Sequence, residues 1–252
     1  MDQNATTPAK RLMRATATVL PEGLRASAVR QLRHRRVRWG SLRRTDPISD
    51  YFGFDRGTPI DRYYIEAFLA READAITGEV LEVLNRTYAS HFGGEDVTQA
   101  HVVDIDESNP EATIIADLTI VGSLPGQAYD SVIMTQTLHL TLDDSAGFEN
   151  IWQALRPGGT LLFTGPCISR IDDGVADSDH WRYTPLGLRL QLARLLPGAE
   201  VRVEAHGNVL AAAAFLYGIS AEELSTAELE VEDPRFPLVV CARVSKPLNR
   251  SR

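Results

Sequence analysis

Cysteine is close to absent from the sequence: Cys167 and Cys241 are the only two among 252 residues, and neither lies in a CxxC or Cys/His spacing. A disulfide framework and a zinc site are therefore not expected, and both residues read as ordinary buried thiols. Long apolar runs are also missing. No stretch approaches the roughly 20 apolar residues of a membrane span, and the N-terminus has no uninterrupted apolar core of a secretory signal, so no membrane association and a cytoplasmic location are expected. Acidic residues are scarce in one region only. Residues 1–45 hold 11 of the 26 Lys and Arg but only two acids, Asp2 and Glu22, which leaves 15 basic and 32 acidic residues for the remainder. The asymmetry predicts a basic extension over 1–45 and a separate acidic domain over 46–252. The run Arg33-His34-Arg35-Arg36-Val37-Arg38 lacks interleaved aromatics apart from Trp39 and fits no nucleic-acid-binding signature, and an acidic body repels phosphate backbones. Nucleic acid is not an expected partner. Asp172, Asp173, Asp177 and Asp179 with His180 show no metal-ligand spacing in their Gly-containing loop, so no metal is expected.

What is present is an alternation of elements. Ser49 to Pro59 is turn-rich, and Thr58 as N-cap with Pro59 as first residue predicts a helix. Ile60, Tyr63, Tyr64, Ala67 and Phe68 give that helix one buried face, with Gly78 as the punctuation after it. Strand-like segments follow at 79–83, 101–105, 113–116, 130–135 and 160–164, then at 201–205 and 238–244. Helical patterns fall at 145–155, 185–195 and 209–217. The first of these is expected to stop at Arg156-Pro157-Gly158-Gly159, where the chain would turn into the next strand. Seven strands alternating with helical segments predict a doubly wound α/β fold, with ligands at the carboxyl ends of the strands.

Several motifs recur in a specific order: Gly53-Phe54-Asp55-Arg56-Gly57-Thr58-Pro59-Ile60-Asp61-Arg62-Tyr63-Tyr64-Ile65-Glu66, Val80-Leu81-Glu82-Val83, Ala116-Asp117-Leu118-Thr119, Thr135-Gln136-Thr137-Leu138, Leu155-Arg156-Pro157-Gly158-Gly159 and Trp181-Arg182-Tyr183-Thr184. In this order the segment from Ser49 to Pro247 resembles class I S-adenosylmethionine (SAM)-dependent methyltransferases of the type 11 branch. The resemblance implies a seven-stranded Rossmann-like methyltransferase fold and an O-methyltransferase acting on a small hydroxylated sugar or natural-product intermediate. It implies that SAM lies across Glu82, Leu84, Asn85, Asp106, Asp117, Leu118 and Gln136, with Arg56 and Tyr64 closing over its polar end. An acid after the second strand would take the ribose hydroxyls because a carboxylate accepts two hydrogen bonds side by side. Asp106 matches that place, with Asp104 as the register alternative.

The turn after the first strand departs from the family pattern. It reads Glu82-Val83-Leu84-Asn85-Arg86-Thr87-Tyr88, and no glycine follows until Gly93. Glycine at such a turn lets the backbone approach a ligand closely, whereas a side chain would occupy the same space. A methyltransferase-like scaffold that has lost SAM and performs a SAM-independent reaction, or binds an intermediate, is therefore the second expectation. For the acceptor proton, His180 beside Trp181-Arg182-Tyr183-Thr184 is the first candidate base and His139 after the fourth strand the second, while His91, His101 and His206 read as structural.

Overall fold

The computed structural model describes residues 38–248. The basic run at 33–37 lies outside them. Arg38–Thr45 contains one short 3-10 turn, Gly40–Leu42, and the residues from Asp46 onward form a separate compact unit.

That second unit is built on one seven-stranded sheet. Its strands are β1 Gly78–Val83, β2 Val97–Asp104, β3 Ile114–Ile115, β4 Tyr129–Thr135, β5 Leu155–Pro166, β6 Glu200–His206 and β7 Val239–Ser245. Their order is β3-β2-β1-β4-β5-β7-β6. β1 through β5 pair in parallel, while β7 runs antiparallel to both β5 and β6. Among the described residues the α-helices are α1 Ile60–Arg71, α2 Asp144–Ala154, α3 Pro185–Leu195, α4 Val209–Leu216 and the single turn α5 Thr226–Leu229.

The central strands are buried on both faces, as a doubly wound sheet requires. Along β4, β5 and β7 successive residues divide between two cores. Val132, Met134, Leu161, Phe163, Val240 and Ala242 join Phe148 and Ile151 of α2 and Leu188 and Leu192 of α3. Ile133, Leu162, Val239 and Cys241 join Ile60 and Phe68 of α1 and Ala211 and Phe215 of α4. Asp143, Thr184 and Asn208 cap α2, α3 and α4 through side-chain acceptors, the usual chemistry for the unpaired first-turn N–H groups.

Three local expectations are corrected. Thr58 is not the cap of α1: its N–H and hydroxyl both donate to the Glu222 carboxylate, because Pro59 is bridged to Ser220, and Pro59 stands at the N-cap position. Gly78 does not end a helix but opens β1 at φ +69°, where a Cβ would meet the Asp130 carboxylate at 2.3 Å. Arg156-Pro157-Gly158-Gly159 does not form a loop. Leu155 pairs with Tyr129 directly after α2, and the proline and glycines are absorbed as an irregularity within β5, whose backbone groups at Gly158 and Gly159 bond to Lys246.

The half of the sheet beyond β1 is thinly covered. Between β1 and β2 the chain makes only a π-turn, Ala89–Gly93, and a 3-10 turn, Gly94–Asp96, and no helix joins β2, β3 and β4. Parallel strands usually need a helical crossover, and its absence leaves Ile105, Ile115, Ile120 and Val121 exposed near the β3 edge.

Candidate functional site

The strand order reverses between β1 and β4, and both strands end there on unusual backbone. Leu84 directly follows β1 at φ +71°, and Gln136 directly follows β4 at φ +47°. Left-handed conformations cost a side-chain-bearing residue free energy and persist only where neighbours hold them. At Leu84 those neighbours are explicit. Its N–H donates to the Val103 carbonyl (3.1 Å) and its own carbonyl accepts from Asn109 Nδ2 (2.7 Å), while Asn109 Nδ2 also donates to the Asp104 carboxylate (2.6 Å). Gln136 is pinned by its N–H to the Thr164 carbonyl at 3.0 Å.

Above this reversal lies a cavity of about 460 Å³. β1 contributes Glu82, the following turn Leu84, Asn85 and Tyr88, β4 Thr135 and then Gln136, and α1 Arg62 and Glu66. Glu82 is the chemically distinctive group. It is 2% exposed, and its two oxygens accept the N–H groups of Tyr88 (3.0 Å) and Ala89 (2.7 Å). Burial outweighs those two bonds and pushes its carboxyl up to about 7, so it exchanges a proton near neutrality. A second cavity of about 440 Å³ adjoins the first and shares Phe54, Arg62, Leu84 and Gln136 with it; His139, Arg170 and Asp179 lie on its wall.

The residues singled out in the sequence separate into groups. Glu82, Leu84, Asn85 and Gln136 come together at the first cavity. Asp106 and Asp117 line neither cavity. Asp106 accepts the Ser108 N–H at 2.8 Å, which holds its carboxyl below the usual range, and Asp117 accepts the N–H and hydroxyl of Thr119. Asp104, the last residue of β2, lies nearer the turn through its Asn109 link. Leu118 is buried in the sheet core.

Arg56 and Tyr64 stand elsewhere than the resemblance implied. Arg56 is engaged by Glu223, Nε to Oε2 at 2.9 Å. Tyr64 is buried against the core, donating its hydroxyl to the Leu229 carbonyl and stacking on His206. Of that motif, Phe54 and, on α1, Arg62 reach both cavities. The helical spacing carried a signal for it: with Ile60, Tyr64, Ile65, Phe68 and Leu69 committed to the core, Arg62 and Glu66 fall four apart on another face.

The two candidate bases lie side by side through the backbone, the N–H groups of His180 and Trp181 donating to the His139 carbonyl at 3.0 and 3.1 Å. Only His139 lines a cavity; His180 is exposed. Burial drives the His139 imidazole down to about 4, so it is neutral at physiological pH, and its Nδ1 is buried without a hydrogen-bond partner. The histidines read as structural have local partners: His101 with Glu79, His206 with Glu204 and Glu232, and His91 against the Phe92 ring.

Comparison with known proteins adds a family and a set of folds. Residues 75–163 match the family described as "Methyltransferase domain", a span running from just before β1 to the middle of β5. No curated protein sequence matches the chain. Among solved structures, a SAM-dependent methyltransferase from Archaeoglobus fulgidus aligns at 15% identity over 73% of this chain and 94% of its own, with a TM-score of 0.50. One from Mesorhizobium loti aligns at 16% identity over 72% and 98%, with a TM-score of 0.50. At these identities the likeness is one of fold.

Proposed function

We propose that the chain, which matches the family described as "Methyltransferase domain" over residues 75–163 and shares the fold of SAM-dependent methyltransferases, is a SAM-dependent O-methyltransferase acting on a small hydroxylated molecule, a sugar or a natural-product intermediate. The observation that carries the reading is the first cavity: it lies at the reversal of strand order, where doubly wound folds bind their ligands, and combines a buried titratable carboxylate, Glu82, with the Arg62 cation. That charge pattern fits an amino-acid end, the arginine facing a carboxylate and Glu82 an ammonium. The volume falls within the range of small-ligand sites.

When bound there, SAM supplies an electrophilic methyl group on sulfur. The chain's own residues do the rest. Glu82 and Arg62 orient the amino-acid end, Asn85 and Gln136 border it, and Asp106, or Asp104 through its Asn109 link, is assigned to the ribose. Asp117 and Leu118 are the residues assigned to the adenine. His139, neutral at physiological pH, is the residue assigned to receive the acceptor proton, with His180 joined to it through the backbone. Methyl transfer needs alignment and exclusion of water more than acid–base machinery, so one hydrogen-bonding imidazole suffices.

Titration calorimetry with SAM tests this directly. Binding is expected for the native chain, and Asp106→Ala is expected to weaken it by roughly ten- to a hundredfold, the worth of charge-assisted hydrogen bonds. No binding at millimolar SAM would overturn the reading. Leu84 supports the alternative of a scaffold that has lost SAM: its side chain is 59% exposed and borders both cavities, at the place where glycine would leave room. Mass spectrometry of small molecules released from the denatured protein distinguishes the two. S-adenosylhomocysteine supports the first, and an unrelated compound supports the second.

A further inference from the structure

The second cavity differs in character from the first. Its walls bring together the rings of Phe52, Phe54 and Phe215 with the aliphatic Ile168 and Val175. Phe52 and Phe215 are stacked with centroids 6.0 Å apart and planes 29° from parallel. Phe52 adopts φ +55°, a costly state for an aromatic residue. It is clamped by the Arg170 guanidinium, which lies 4.2 Å over its ring and donates through Nη2 to the Asp50 carbonyl at 2.6 Å. The aromatic wall is thus fixed in place.

The charges on this cavity are already answered within the protein. Asp179 is taken by Arg182, Asp172 stands 3.4 Å from Arg170, and Asp61 accepts only the backbone N–H of Arg62, while burial pushes its carboxyl up toward the neutral form. Of the cations on its wall, Arg170 lies over the Phe52 ring and beside Asp172 with only its Nε unpartnered, and Arg62 is shared with the first cavity. On the side of Phe52, Phe54 and Phe215 a polyhydroxylated ring would bury hydroxyls against phenyl groups, which is unfavourable. Flat apolar surface bearing one polar group is what such a wall accommodates.

Resting on the methyltransferase reading, we propose that the second cavity binds an uncharged, planar aromatic acceptor that presents a single phenolic hydroxyl to His139. Nδ1 of His139 is enclosed, which leaves Nε2 as the ring nitrogen for the ligand. Methylation breaks the hydroxyl O–H bond and forms an O–C bond. The proton leaves on His139 Nε2, and the donor sulfur keeps the electron pair of the S–C bond it gives up. His139 is a weak base, pushed down to about 4. A phenol, with a pKa of about 10 like tyrosine, is far better matched to it than an aliphatic hydroxyl near the value for water, about 15.7.

The test uses binding without any methyl donor. Saturation-transfer NMR and calorimetry with 2-naphthol are expected to show binding, weakened about three- to tenfold by Phe54→Ala, a change at a half-exposed ring that spares the core. Val175→Trp, which fills the cavity from its rim, is expected to abolish it. Methyl β-glucopyranoside is expected not to bind. Glycoside binding stronger than that of 2-naphthol, or 2-naphthol binding indifferent to both variants, would overturn the proposal. SAM titrated separately keeps the two readings apart. Naphthol binding without SAM binding would sink the methyltransferase reading and leave the cavity assignment standing, whereas SAM binding with a glycoside preference would sink the cavity assignment alone.

Discussion

Leu84 holds a backbone state suited to glycine while carrying a side chain, and this makes a single substitution unusually informative. A left-handed non-glycine residue costs roughly 1–2 kcal/mol. Leu84→Gly is therefore expected to stabilise the fold, raising Tm by about 2–4 °C per kcal/mol gained for a chain of this size, and to tighten SAM binding in the same variant. Differential scanning calorimetry and SAM titration check the two arms, and a lower Tm would show that Leu84 packing outweighs the strain. Glu82 gives a prediction in pH. Its folded carboxyl titrates near 7 against an ordinary 4.5 because burial disfavours its charge. The native state therefore binds more protons than the unfolded chain between those values, and stability falls as pH rises from about 4.5 to 7. Thermal melts from pH 5 to 8 should show this decline in the native protein and a smaller one in Glu82→Gln. Equal slopes would place the titrating group elsewhere.

At the scale of elements, capping residues differ in how much they hold. Thr184 caps α3 with one bond, to the Gly187 N–H. Asn208 is 6% exposed and makes four: it accepts from Leu210 and Ala211 and donates to the carbonyls of Glu228 and Val231. Thr184→Ala is expected to cost about 1 kcal/mol. Asn208→Ala is expected to cost more than 2 kcal/mol, because it leaves the N–H groups of Leu210 and Ala211 at the start of α4 and the carbonyls of Glu228 and Val231 near the end of α5 without their partner; urea denaturation of both variants gives the comparison. Most elements were legible in the sequence because their signals are local. β4 carries the continuous buried run Ser131 to Thr135, and Thr184 with Pro185 marks the start of α3 by composition alone. What was illegible depends on partners distant in sequence. Thr58 has the chemistry of an N-cap, but Glu222 takes it. Arg156-Pro157-Gly158-Gly159 has the composition of a turn, but Lys246 supplies the backbone partners that keep it in the sheet. The site divides the same way. Glu82 and Gln136, implied by the family resemblance, line the first cavity, whereas Arg56 is held by Glu223 and Tyr64 by the core, and Arg62 follows from which face of α1 the core takes.

At the scale of the whole molecule, both cores belong to the unit that begins at Asp46. We accordingly propose that residues 46–252 fold independently of the basic extension. Deleting residues 1–45 is expected to leave one cooperative thermal transition, with SAM binding unchanged within about twofold; a broad, non-cooperative melt would move the boundary. The sheet order also governs how the chain assembles as it is made. β6 has no neighbour except β7, and the outer side of β5 is likewise waiting for β7. During synthesis, which delivers about 5–20 residues per second from the N-terminus, every strand from β2 to β5 finds a partner already made. β6 must wait for more than thirty further residues to arrive. In that interval two unsatisfied backbone edges face the crowded cell, the state most open to mispairing with another chain. A ribosome that stalls or terminates between His206 and Val239 would release a product already sheeted over five strands yet open along the β5 edge, making the final strand the step on which quality control has the most to act.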